Sequence, residues 1–211
     1  MDSSFRMSLG ILGPWQRRFK RVVDIAGAII CLLISLPVVV IAAILIKIED
    51  GGPVFYCAPR VGENGKEFIM YKLRSMRVDS TQETPPHPQA LENKPHKRVG
   101  DARVTRVGAW LRRTSIDEYP QLFNVLIGDM SLVGPRPELP WIVRTYEPWQ
   151  LARLTVPQGI TGWWQVSGRS ERTMHLHVDL DLYYIQNYSL GLDFKILFKT
   201  FGVVLSGKGA F

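Results

Sequence analysis

The chain has 211 residues, enough for one domain of ordinary size, and its 26 Lys and Arg against 19 Asp and Glu leave a net charge of +7. That balance selects anionic partners, and beside a membrane-length segment it favours lipid and phosphate over nucleic acid. Two cysteines, Cys31 and Cys57, exclude a disulfide framework, and neither a P-loop nor a Gly-x-Gly-x-x-Gly fingerprint occurs.

In chain order, residues 1–14 are weakly patterned, and residues 15–21 mix aromatic and basic side chains as the start of an interfacial helix does. Residues 25–46 carry no charge; as one straight helix they would measure about 33 Å, enough to cross a bilayer. Arg17, Arg18, Lys20 and Arg21 just before them hold the N-terminus in the cytoplasm. A plain crossing would then put the larger C-terminal part outside, although it reads as a cytosolic, phosphate-handling domain. A helix that enters, breaks at Ser35 and Pro37 and returns to the same face removes the conflict. The run is too long for a signal-peptide core and lacks a small-residue cleavage pattern.

Gly51-Gly52-Pro53 ends the helix. Residues 54–56 and 67–72 read as strands joined through the hairpin signal Asn64-Gly65. Residues 77–100, with four prolines and two histidines, form a long loop, either a lid or passive surface. Helices are expected over 105–113, 116–126, 137–147, 176–188 and 192–205, with a turn-rich segment at 128–136 and an irregular one at 157–169. The fold class is α+β and mostly helical: an N-terminal re-entrant helix-break-helix anchor (residues 1–50), then a small globular domain (residues 51–211) with a short β-hairpin and interfacial amphipathic helices.

Four stretches could carry chemistry. Ser115 and Glu118 have capping-box spacing, which puts Asp117 and Glu118 in a first helical turn where free N–H groups favour ionised carboxylates. Such acids are commonly structural, but Arg112 and Arg113 just upstream add cations able to hold a diphosphate. Pro135 and Pro137 lock the backbone around Arg136, an anion clamp or an ordinary ion-pair partner. Lys72 and Arg74 leave a strand on one face. Gly159-Ile160-Thr161-Gly162-Trp163-Trp164-Gln165, followed by Gly168-Arg169, sets two tryptophans together as core or as headgroup anchors. Asp181 and Asp193 lie in the last helical region, where most acids are solvated or paired. His175 and His177 point different ways on a helix, a poor metal pair.

As a set these residues resemble the bacterial sugar transferase family, the monotopic phosphoglycosyl transferases. The motifs are Ser35…Pro37, Tyr71-Lys72-Leu73-Arg74-Ser75-Met76, Leu111-Arg112-Arg113-Thr114-Ser115-Ile116-Asp117-Glu118, residues 128–138, Gly159-Ile160-Thr161-Gly162 with Gln165 and Gly168-Arg169, and Asp181-Leu182-Tyr183-Tyr184 through Asp193. The resemblance implies transfer of a sugar phosphate from a UDP-sugar to a polyprenyl phosphate, with Mg²⁺ and release of UMP, in the minimal catalytic form of the family. Asp117 would be the nucleophile and would carry a phosphosugar; Glu118 would assist, and the two acids would hold the metal. Lys72, Arg112 and Arg136 would contact phosphate or nucleotide, Arg169 and Asp181 would belong to the site, and Ser35 and Pro37 would form the membrane-helix break. It further implies a bacterial inner-membrane protein facing the cytoplasm, with anionic lipid as a partner and no nucleic acid; a homo-oligomer is left open. The chain departs from the family pattern at Cys57-Ala58-Pro59-Arg60, Tyr119, Gln158 and Leu36. Two other readings stay open: a catalytically inactive, membrane-tethered binding or regulatory protein of the same fold, and a bitopic protein with an external basic domain.

Overall fold

The computed structural model describes residues 12–77, 102–167 and 177–206. The loop expected at 77–100 lies almost wholly outside them, as do Arg169 and His175.

Helix α1 runs from Pro14 to Asp50 and ends where Gly51 adopts the left-handed conformation, φ 71°. It is one helix with Pro37 inside it, so the expected helix-break-helix takes the form of a single element. Pro37 brings no N–H for the carbonyl four residues back, and the Ser35 hydroxyl donates to the Leu32 carbonyl at 3.3 Å, which weakens the ladder locally.

Both ends of α1 are fastened to the rest of the chain. Near the start, Lys20 Nζ donates to Asp193 Oδ2 (2.7 Å) and to the Val133 carbonyl (3.1 Å). Asp24 Oδ1 accepts from Ser131 Oγ and the Leu132 N–H, both at 3.0 Å. Arg21 donates to the Leu126 carbonyl at 2.8 Å. At the far end Asp50 pairs with Arg74, whose Nη1 lies 2.6 Å from Asp50 Oδ2. Between these fastenings Ile30, Leu33, Ile34, Val40, Ile41 and Ile44 are exposed.

Strands β1 (Phe55–Val61) and β2 (Glu67–Leu73) form an antiparallel hairpin, with Phe55 opposite Leu73 and Val61 opposite Glu67. Asn64 and Gly65 make the turn with φ of 56° and 78°, as their sequence signal requires. Lys72 and Arg74 do not share a face. The strand stops at Leu73, so Arg74 turns to Asp50 while Lys72 turns to Glu118.

Helix α2 (Arg106–Thr114) begins at the cap Thr105, which accepts the Gly108 N–H at 2.9 Å. Glu49 of α1 covers the same terminus, accepting from the Arg106 N–H at 2.7 Å. Gly108 is required there, because a Cβ would lie 2.1 Å from the Ser75 carbonyl. The expected capping box at Ser115 does not form. Ser115 sits in the left-handed region (φ 57°), closes α2 and makes no side-chain cap. Ile116–Glu118 is a single 3-10 turn, and α3 (Gln121–Ile127) starts only after Pro120.

Strand β3 (Ser131–Val133) pairs in parallel with β4 (Gly159–Thr161), giving strand character to two stretches that read as turn-rich and irregular. Helix α4 (Pro140–Val143) starts at Pro140 rather than at Pro137, because Glu138 is held extended in a bridge to Val61. Short α5 (Trp163–Val166) and helices α6 (Val178–Gln186) and α7 (Leu190–Ser206) complete the described chain. The paired tryptophans separate: Trp164 is buried, while Trp163 stacks on Tyr183 with ring centroids 5.0 Å apart.

Among the described residues the interior forms three clusters. Ala28 of α1 packs with Phe68, Met70, Leu122, Val125 and Met130. Ala42 and Ile46 pack with Leu73, Leu111 and Ile116. Val133, Val178, Leu182, Tyr184, Ile185 and Ile196 join β3 to α6 and α7.

Asn124, fully buried on α3, accepts the Tyr71 N–H at 3.1 Å and donates to the Ile69 carbonyl at 2.7 Å. Replacing it by Leu removes both bonds and leaves two strand groups unpaired. Asn124→Leu should lower stability by about 2–4 kcal/mol, read as a fall in the thermal midpoint of the detergent-solubilised protein.

Candidate functional site

The corner between α2 and α3 buries two adjacent carboxylates, Asp117 and Glu118, which are 4% and 6% exposed. A charge is costly there unless it is paired, and Glu118 is paired twice. Lys72 Nζ, from the end of β2, donates to Glu118 Oε1 at 3.2 Å. Arg136, from the segment after β3, donates through Nη1 to Glu118 Oε2 at 3.2 Å and through Nη2 to Oε1, a two-point grip. Three stretches far apart in sequence therefore meet at one carboxylate.

The electrostatics follow from that packing. Burial pushes the Lys72 ammonium below its ordinary 10.5, and the fields of Glu118 and Asp117 offset only part of the drop. For Arg136 burial also opposes the charge, but the Glu118 carboxylate, with help from Asp117, outweighs it and raises the pKa. Asp117 thus acts on both cations. Because Ser115 ends a helix instead of starting one, the acids face these cations and not the N-terminus of an α-helix.

The cations themselves are aimed. Arg112 donates from Nε to Ser75 Oγ at 2.9 Å, so the residue that follows the Arg74 anchor orients a guanidinium on α2. Arg136 is set by a backbone crossing built from glycines. A Cβ at Gly134 would lie 2.1 Å from the Pro157 carbonyl, one at Gly159 2.1 Å from the Gly134 N, and one at Gly162 2.2 Å from the Gly134 carbonyl. Only glycines let β3 and β4 approach this closely. The Gly159 N–H then bonds the Pro135 carbonyl at 2.8 Å, next to Arg136.

Of the residues expected in the site, Lys72, Arg136 and Glu118 are in contact, and Asp117 is adjacent to them. Arg112 is held from the β2 side. Asp181 is buried against Arg153, with Nη2 to Oδ2 at 2.7 Å. Arg169 lies outside the described residues. Ser75 and Glu138 lie within the motifs singled out in the sequence without a role of their own, and Arg153 lies outside all of them. A lone cation among Leu151, Ala152 and Leu154 was the available signal for Arg153.

Among the described residues no group of three or more His, Cys, Asp or Glu stands ready for a metal ion. Two adjacent carboxylates nevertheless match the donor set of Mg²⁺, which takes one or two carboxylates and completes its shell with water and substrate phosphates. Asp117 and Glu118 would be its protein ligands.

Comparison with known proteins gives a consistent result. The family model described as "Bacterial sugar transferase" matches residues 15–207. A Streptococcus agalactiae protein named "Galactosyl transferase CpsE" is 46% identical over 90% of this chain and 43% of its own length. An Aeromonas hydrophila protein named "UDP-N-acetylgalactosamine-undecaprenyl-phosphate N-acetylgalactosaminephosphotransferase" is 42% identical over 100% of this chain and 49% of its own. "Exopolysaccharide production protein ExoY" of Rhizobium meliloti is 37% identical, over 96% of this chain and 92% of its own. The chain thus spans less than half the length of the first two relatives and nearly all of the third.

Glu118→Gln removes the charge that holds the Lys72 pKa up, so the ammonium should titrate lower still, with the neutral fraction rising about tenfold per unit. Competitive acetylation of lysines between pH 7 and 9, read by mass spectrometry, should show Lys72 more reactive in the variant. Unchanged reactivity would mean that the two groups do not interact in solution.

Proposed function

The chain belongs to the bacterial sugar transferase family, and on that premise we propose that it moves a sugar phosphate from a UDP-sugar to undecaprenyl phosphate, releasing UMP. The observation that carries this reading is the buried Asp117–Glu118 pair faced by Lys72 and Arg136. Acids and cations confined in one place suit a reaction in which two phosphorylated substrates, both anionic, must react at the same phosphorus.

A carboxylate oxygen of Asp117 attacks the sugar-bearing phosphorus of the donor. The bond from that phosphorus to the bridging oxygen breaks, and UMP leaves with the oxygen and its electron pair. An oxygen of undecaprenyl phosphate then attacks the same phosphorus and displaces Asp117, giving the undecaprenyl diphosphosugar and restoring the free carboxylate. The covalent stage spares the protein from holding both anions at once. Lys72, Arg136 and Arg112 supply positive charge for the phosphates, and Glu118 keeps the first two in place. Mg²⁺, when bound, neutralises charge developing on the leaving phosphate. The Asp117 carboxylate must be ionised to attack, and the Lys72 and Arg136 fields favour that form.

The membrane seat is supported by the way α1 is fastened. Ala28 and Ala42 both pack on the body, and the 14 residue steps between them measure about 21 Å along a helix. That is short of the ~30 Å hydrocarbon core. These packing points support a seat in which the apolar stretch dips into one leaflet and returns, with the ladder weakened at Ser35 and Pro37 as the place for its bend and residues 1–50 as the anchor. Exposed Phe194, Phe198 and Phe201 on α7 and Phe123 with Ile127 on α3 form stripes of the interfacial kind. The catalytic body, residues 51–211, then lies on the cytoplasmic face of the bacterial inner membrane, where donor nucleotide and lipid carrier meet.

A panel of UDP-sugars incubated with undecaprenyl phosphate and Mg²⁺ should give UMP release with at least one donor. Asp117→Asn should lower turnover by about 10³-fold or more and abolish retention of sugar phosphate on the protein. An Asn variant of normal activity would remove the covalent route. Cys57 is exposed on β1, so in a Cys31→Ser background an impermeant maleimide should label it only after the inner membrane is opened. Labelling of intact cells would place the body outside.

A further inference from the structure

Arg153 is a buried charge that the reaction scheme does not use. Its side chain is 0% exposed, and it is the largest fully buried one among the described residues. Replacing a buried ion pair by apolar groups of similar volume is often neutral or stabilising, so this arrangement is weak as a stability device. Its contacts point elsewhere. Nη2 pairs with Asp181 Oδ2 at 2.7 Å and also donates to the main-chain carbonyl of Arg136 at 2.8 Å. Nη1 donates to the Tyr146 hydroxyl at 2.8 Å, and Tyr146 in turn donates to Glu138 Oε2 at 3.5 Å.

We infer that Arg153 is a positioning residue for Arg136, and that Asp181 serves the site by holding Arg153 and not by touching substrate. This rests on the transferase reading given above. The Arg136 backbone is pinned on two sides: the preceding Pro135 carbonyl accepts from Gly159 N–H at 2.8 Å, and its own carbonyl accepts from Arg153. Pro137 restricts the Arg136 backbone to extended conformations. With the main chain fixed, the guanidinium reaches Glu118 with both nitrogens. A chain of contacts thus runs from Asp181 through Arg153 and Arg136 to Glu118. Displacements of about 1 Å at a positioning group cost on the order of 10²-fold in rate.

The test compares Arg153→Lys, which keeps the charge but loses the fork, with Tyr146→Phe, a milder change in the same cluster. Each is measured in otherwise wild-type, Arg136→Lys and Ser75→Ala backgrounds for kcat and KM of UMP release. Hydrogen exchange over residues 134–138 is followed in parallel. Arg153→Lys should lower kcat by about 10- to 100-fold, lose most of that effect when Arg136 is already Lys, and keep it in full beside Ser75→Ala, which acts through Arg112. Exchange at 134–138 should rise. Tyr146→Phe should show the same pattern on a smaller scale, which preserves the test if Arg153→Lys fails to fold. Full additivity with Arg136→Lys, or unchanged exchange at 134–138, overturns the proposal. Absence of UMP release by the wild-type protein with every donor, together with raised exchange in Arg153→Lys, overturns the transferase reading and leaves the positioning role standing.

Discussion

The constraint on which this structure turns is the placing of two carboxylates, side by side, at a buried helix corner. Neither acid can stay charged there alone. The solution is the grip on Glu118 by Lys72 and Arg136, and it decides much of the architecture. β2 must end beside the α2–α3 corner, the stretch after β3 must turn back to it, and β4 must cross β3 at a distance that only Gly134, Gly159 and Gly162 permit. Positions that look like separate motifs in the sequence are solutions to one electrostatic problem.

Helix α1 is tied into the same problem. α1 reaches Asp193 and Val133 through Lys20, and Ser131 and Leu132 through Asp24, so its first turns hold the strand that leads to Arg136. Its last turn holds Arg74 through Asp50 and the start of α2 through Glu49. Ser75, next to Arg74, meets Arg112. Helix α1 therefore contacts the stretches that present Lys72 and Arg136 and the start of the helix that carries Arg112. Two small residues, Ala28 and Ala42, let its backbone come close enough to do so.

Local signals were legible in the sequence where the physics is local. Asn64-Gly65 announced the hairpin, Gly51 the end of α1, and Thr105 the start of α2. The residues that the fold gathers at the α2–α3 corner were legible as well, since Lys72, Asp117, Glu118 and Arg136 stood out as charges in constrained surroundings. What failed was local inference applied to a tertiary feature. Ser115 with Glu118 has the spacing of a capping box, yet the chain needs a left-handed residue there to turn the corner, and that turn takes precedence. Pro137 looked like a helix start, but Glu138 is drawn into a bridge with Val61. β3 and β4 are three residues each and owe their strand form to each other, so no periodicity could reveal them. Arg153 was passed over because its partners, Asp181, Tyr146 and the Arg136 carbonyl, are assembled only by the fold.

Asn124 has a further consequence. A two-stranded ribbon normally offers bare edges to any passing extended chain, and ribbons that do so invite intermolecular polymerisation. Along β2, the Asn124 carboxamide satisfies one amide hydrogen and one carbonyl oxygen as a third strand would, from a residue with no strand to propagate. Along that edge a single side chain thus stands where a further strand would have to bind, while leaving the ribbon free to carry Lys72.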